Sequence, residues 1–141
     1  ELTMEKILQE EEKALKMSTL KELILKTRSY RRFIEDQAVT HASILEMIDA
    51  ARLSASARNA QPLKYFICND TATNEKVFST VAWAGFLTDW PGPAPGERPA
   101  AYIVQLHDTS LQSKYFCDDG IAAQLLRLPC HCFQGDLLCL A

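Results

Sequence analysis

The sequence predicts one layered domain of helices and strands, α/β or α+β. Three observations predict it. Apolar residues recur at helical spacing in four stretches, two short apolar runs rich in aromatic and β-branched residues lie among them, and polar or proline-rich segments divide them. The resulting order is helix, helix, strand, helix, strand, helix. A chain of 141 residues is long enough for one domain with a real core. With 48% hydrophobic and 23% charged residues, it reads as globular rather than disordered.

Residues 1–16 are rich in Glu and Lys and read as a charged extension, either a solvated helix or a frayed tail. Thr19 and Glu22 have the spacing of a capping box, which predicts a helix over about 19–27. The basic heptapeptide TRSYRRF, residues 27–33, lies at its end, and a loop follows over 34–39. Thr40 is placed to cap a second helix, with Ile44, Leu45, Ile48 and Ala51 on one face. In LSASARNAQPLKYFICND, small and polar residues lead through Pro62 into the apolar run Tyr65 to Cys68. That pattern predicts an exposed loop feeding a buried strand.

TATNEKVFSTVAWAG, residues 71–85, reads as a third helix containing Val77, Phe78, Val81 and Ala82. DWPGPAPGERP holds four of the six prolines and is a loop. AAYIVQLHD is a second buried strand, and DDGIAAQLLRL opens a fourth helix whose Asp118 and Asp119 suit the dipole at its start. Pro129 is expected to interrupt that helix after about three turns. Nothing later in PCHCFQGDLLCLA reads as a strand, and the chain shows no internal repeat.

A formal charge of -3 argues against a general nucleic-acid binder, which would show a basic excess. No apolar run is long enough to span a bilayer, and the first residues lack the apolar core of a signal peptide, so a cytoplasmic location is expected. Cys68, Cys117, Cys130, Cys132 and Cys139 are then expected to be free thiols, and an odd count cannot pair fully within one chain. Cys130, His131, Cys132 and Cys139 have zinc-ligand chemistry, but Cys-His-Cys is not a usual ligand spacing, so no metal site is expected. His41, at a helix start, and His107, at a strand end, have no evident nucleophile as partner.

Two stretches carry chemistry. In TRSYRRF, Arg28, Arg31 and Arg32 either complement the negative end of a helix dipole or clamp a phosphate. The guanidinium fork matches phosphate oxygens, and the Ser29 hydroxyl adds a donor. In SASARNAQP, Ser56, Asn59 and Gln61 either decorate a polar loop or bring hydroxyl and amide groups to a polar ligand.

Together these stretches resemble the FMN-dependent nitroreductase family. Arg28-Ser29-Tyr30-Arg31-Arg32-Phe33 is similar to the family's Arg-Ser-x-Arg-x-Phe. Ala55-Ser56-Ala57-Arg58-Asn59-Ala60-Gln61-Pro62-Leu63 is similar to its Pro-Ser-x-x-Asn-x-Gln-Pro-Trp, with Ala55 and Leu63 in place of the proline and tryptophan. RPAAYIVQL resembles its central strand and DDGIAAQLLRL the start of its long buried helix. The resemblance implies an α+β fold with helices around a central mixed β-sheet, and a homodimer with the flavin at the interface. It implies that Arg28, Ser29 and Arg31 bind the FMN phosphate and ribityl chain, while Ser56 and Asn59 reach the FMN held mainly by the partner subunit. It implies hydride transfer from NADH or NADPH through the flavin to a nitroaromatic or quinone, with no catalytic acid or base from the protein.

The resemblance covers residues 17–128. Beyond Leu128 the family pattern does not continue, and Pro129-Cys130-His131-Cys132-Phe133 stands instead. The expectation is therefore a partial FMN-binding domain over 17–128, with its C-terminal part missing and an atypical tail over 129–141. Two function classes follow: a flavin oxidoreductase, or a non-catalytic dimerisation module on the same scaffold.

Overall fold

The computed structural model describes residues 19–114, 116–130 and 138–140. The extension over 1–16 and most of the tail lie outside them. Residues 19–26 are helical, here α1, and Thr19 is already inside the helix rather than its cap. α2 spans His41–Arg52. Its start follows from Thr40, whose extended backbone (φ -72, ψ 149) lets Oγ1 accept the Ser43 N–H at 3.1 Å. α2 buries Ile44, Met47 and Ala51, whereas Leu45, expected on that face, is 49% exposed. Positions 44, 47 and 51 stack at three- and four-residue intervals, and Leu45 lies a hundred degrees or so round the helix.

β1 (Leu63–Cys68) follows, then α3 (Thr71–Phe78), which is shorter than the sequence suggests. Asp70 caps its start by accepting the Thr73 N–H at 2.9 Å. After Phe78 the hydroxyls of Ser79 and Thr80 donate to the carbonyls of Lys76 and Val77, both at 2.8 Å, and the helix stops. Val81 and Ala82 are therefore in a loop. Trp83 anchors that loop among Phe33, Phe78 and Trp90, with ring centroids 6.4, 5.5 and 6.5 Å away. Gly92 fits at φ +111 because a Cβ there would come within 2.7 Å of the Trp83 ring.

β2 (Tyr102–His107) pairs antiparallel with β1, from Leu63 opposite His107 to Cys68 opposite Tyr102. β3 (Leu138–Leu140) pairs parallel with the other edge of β2, so the sheet is mixed, in the order β1-β2-β3. β3 corrects the expectation of no later strand: three residues carry no local period, and pairing with β2 decides their conformation. β1 is also less buried than expected. Leu63, Tyr65 and Ile67 face the core, and Lys64 and Phe66 are exposed.

α4 spans Asp118–Cys130, with Pro129 inside its last turn. Proline there removes a donor from the helix ladder, and the residues after Cys130 up to 137 lie outside the described set. Ala122 and Leu126 of α4 join Ile44, Met47 and Ala51 of α2 over the inner face of the sheet, where Ala101 and Ile103 complete the core. On the other face Phe66 and Leu106 remain exposed.

Candidate functional site

The three arginines of TRSYRRF do different things. Arg28 folds back on α1, and its Nη1 donates to the carbonyls of Ile24 at 3.2 Å and Thr27 at 3.0 Å. Thr27 Oγ1 donates to the Leu23 carbonyl at 2.8 Å, and Tyr30 Oη to that of Lys26 at 2.6 Å. The segment thus satisfies the open carbonyls at the end of α1 with its own side chains. Arg32 pairs with Glu97 at 3.6 Å, and the Phe33 N–H donates to the Glu97 carbonyl at 3.0 Å, which seats the buried Phe33 ring. Arg31 is exposed and, among the described residues, bonds through Nη1 alone, to the Ser29 carbonyl at 3.3 Å. The rest of its donor fork faces solvent, and that donor set fits an anionic phosphate.

Ser56 and Asn59 sit in the loop between α2 and β1, which includes a single 3-10 turn at Ala57–Asn59. Three of its residues are left-handed without being glycine: Arg58 (φ 59), Asn59 (φ 55) and Gln61 (φ 49). Such a conformation costs a side-chain-bearing residue about 1–2 kcal/mol, less for asparagine. The loop holds itself with Gln61 N–H to Ser56 Oγ and Gln61 Nε2 to Asn59 Oδ1, both at 3.1 Å. It is tied to α4 by Asp118, whose two carboxylate oxygens accept the Ala57 N–H at 3.0 and 3.1 Å.

Sequence reasoning placed Asp118 at a helix start and missed this second role. Spacing alone could not have found it, because its partner is 61 positions away. Arg127 was missed likewise. Its Nη2 donates to the Arg28 carbonyl, so the far end of α4 meets the arginine segment.

The two groups of candidate residues therefore sit at opposite ends of α4. Asp118 and Arg127 are nine positions apart, a rise of about 14 Å. In one chain, Arg28 therefore meets one end of α4 and Ala57, between Ser56 and Asn59, meets the other. A cleft of about 60 Å³ beside the loop is lined by Ser56, Gln61, Tyr65 and Asp118. Another, of about 190 Å³, is lined by Glu35, Asn74, Arg98 and Tyr102, and in it Asn74 Oδ1 and Arg98 Nε have no protein partner. Both are smaller than the roughly 300 Å³ at which ligand pockets begin.

Cys68 is a buried free thiol, pushed up first by burial and then by the Asp70 carboxylate, so it stays protonated and inert. Cys117 is free and exposed. Among the described residues, no three His, Cys, Asp or Glu side chains gather to hold a metal, and no helix is long and apolar enough to cross a membrane. The side chains of Cys130, His131, Cys132 and Cys139 lie outside the described set.

The nitroreductase family model matches residues 24–109, more than half of the chain. The chain belongs to the nitroreductase family. A solved structure from Parabacteroides distasonis, named as an NADH dehydrogenase/NAD(P)H nitroreductase, superposes with a TM-score of 0.61 at 25% identity. The match covers 77% of this chain and 60% of that one, so the chain spans less than two thirds of that relative's length. No curated protein matches. The fold is that of the family: α+β, with helices around a small mixed sheet.

Proposed function

We propose that this chain is an FMN-dependent NAD(P)H oxidoreductase of the nitroreductase type that works as a homodimer, with residues 17–128 as its FMN-binding domain. The observation that carries the reading is the separation of the two candidate groups along α4 in a chain of this family. Each group is half of a site, so a second copy is needed to complete it. Arg28, Ser29 and Arg31 of one protomer would hold the FMN phosphate and ribityl chain, and Ser56 and Asn59 of its partner would reach the same cofactor. The unspent fork of Arg31 supports the phosphate role. Exposed Leu20, Ile24 and Leu25 on α1 supply apolar surface for the second copy.

When bound, FMN supplies the two-electron chemistry that links NADH or NADPH to a nitroaromatic or quinone-type acceptor. The protein positions the cofactor and neutralises its phosphate. The absence of a membrane-length helix among the described residues is compatible with a cytoplasmic protein.

A non-catalytic dimerisation module is the second reading. It is favoured by the structural use of Arg28 on the end of α1 and of the Asn59 amide on Gln61. The visible spectrum of purified protein, soaked with FMN and desalted, separates the two. A retained flavin spectrum that bleaches with NADH or NADPH supports the oxidoreductase. A colourless protein rejects it and leaves the module.

A further inference from the structure

We propose that Asp118 is a positioning residue, which holds the Ser56–Asn59 loop in the shape that presents both side chains to the cofactor. The inference rests on the FMN reading above. The loop keeps Arg58, Asn59 and Gln61 left-handed, so its shape must be imposed. Its internal bonds, from Gln61 to Ser56 and Asn59, are exposed to water. Among the described residues, the bond from the Ala57 N–H to Asp118 is the one hydrogen bond that ties residues 55–61 to another element.

Asp118 is suited to this task. It is 5% exposed and lies on the same face of α4 as Ala122 and Leu126, which are locked in the core. Its carboxylate is therefore a fixed point rather than a swinging side chain. Burying the charge is tolerable because it sits at the positive end of the helix dipole and accepts an N–H. Asp119, exposed beside it, would serve the dipole equally well, so the dipole alone does not explain why Asp118 is turned inward to Ala57. A loop held in its binding shape loses less freedom when the ligand arrives.

The test compares FMN affinity, read by flavin fluorescence titration of the full chain, with hydrogen exchange at the Asn59 and Gln61 amides. Asp118→Ala should weaken FMN by about tenfold or more, the worth of a hydrogen bond to a charged group, and speed exchange at both amides. Asp118→Asn keeps an acceptor oxygen and should restore most of both. A folded Asp118→Ala chain with unchanged affinity and exchange overturns the proposal.

If Asp118→Ala does not fold, Ala57→Pro decides. Ala57 opens the 3-10 turn, and Ser56, at φ -130 and ψ 153, accepts a following proline. That substitution removes the donor and leaves the carboxylate, and unchanged affinity would again overturn the role. If the unaltered chain binds no FMN, the cofactor reading falls and the positioning role falls with it. Exchange at Gln61 then still reports whether Asp118 orders the loop.

Discussion

The start of the arginine segment, residues 27–30, and the loop over 54–62 are held in different ways. Residues 27–30 are organised mainly by bonds that reach back up to four residues, from Thr27, Arg28 and Tyr30 to the last carbonyls of α1, while Arg32 and Phe33 beyond them dock on Glu97. The loop is organised by a carboxylate 61 positions away, and it carries three left-handed side chains that the local sequence does not favour. Residues 27–30 can form wherever α1 forms, but Arg32 and Phe33 need the Glu97 loop in place. The loop over 54–62 needs α4 docked before it has a shape. A cofactor site built from one of each, in two subunits, would order only when both tertiary packing and dimerisation are complete.

The largest expected effect breaks both regions at once. Leu126 is 1% exposed and seats the helix that touches both. Leu126→Ala should cost about 2–5 kcal/mol, seen as a lower urea midpoint, and should weaken FMN binding through both groups. An unchanged midpoint would mean that α4 is not the common support.

Arg31→Ala sharpens the comparison from the segment side. It should weaken FMN by about 1.5–3 kcal/mol, because it removes a charge-assisted hydrogen bond to phosphate. Its unfolding midpoint should not move, since among the described residues its side chain makes the exposed 3.3 Å hydrogen bond to the Ser29 carbonyl and no ion pair. Unchanged FMN affinity in the folded variant would reject the clamp. Arg58 tests the strain on the loop side. Arg58→Gly should be more stable than Arg58→Ala by about 1 kcal/mol in chemical denaturation, because glycine accepts φ 59 without a Cβ penalty. The reverse order would show that the loop relaxes.

The smallest of the expected stability effects falls on the cap. Arg28→Ala should lower stability by about 0.3–1 kcal/mol, the usual worth of a cation at a helix C-terminus, read as a small drop in thermal midpoint. Tyr102, outside both regions, contributes to the loss of stability at alkaline pH. Burial is the main cause that pushes its hydroxyl up to about 12, while Arg98 pulls the other way. Because the folded value lies above the unfolded one, stability is full below the ordinary value of 10.0 and falls as pH rises towards about 12. Tyr102→Phe should flatten that part of the fall in a pH series of unfolding midpoints.

The sequence by itself determined what depends on near neighbours. Thr40 before an apolar period set the start of α2, and alternating or apolar runs marked both longer strands. The Arg-Ser-x-Arg-x-Phe and Ser-x-x-Asn-x-Gln-Pro patterns marked the two candidate stretches, because a motif is a local arrangement of donors. Only the tertiary structure decided the rest. α3 stops at Phe78 because Ser79 and Thr80 bond backwards and Trp83 joins a cluster containing Phe33. β3 exists because β2 offers it an edge. Arg28 turns its Nη1 back onto α1 while Arg31 does not, and Asp118 turns from a helix-start charge into the anchor of a distant loop. Each of these depends on which groups compete for the same hydrogen bonds or apolar surface once the chain has folded, and periodicity and composition carry no record of that competition.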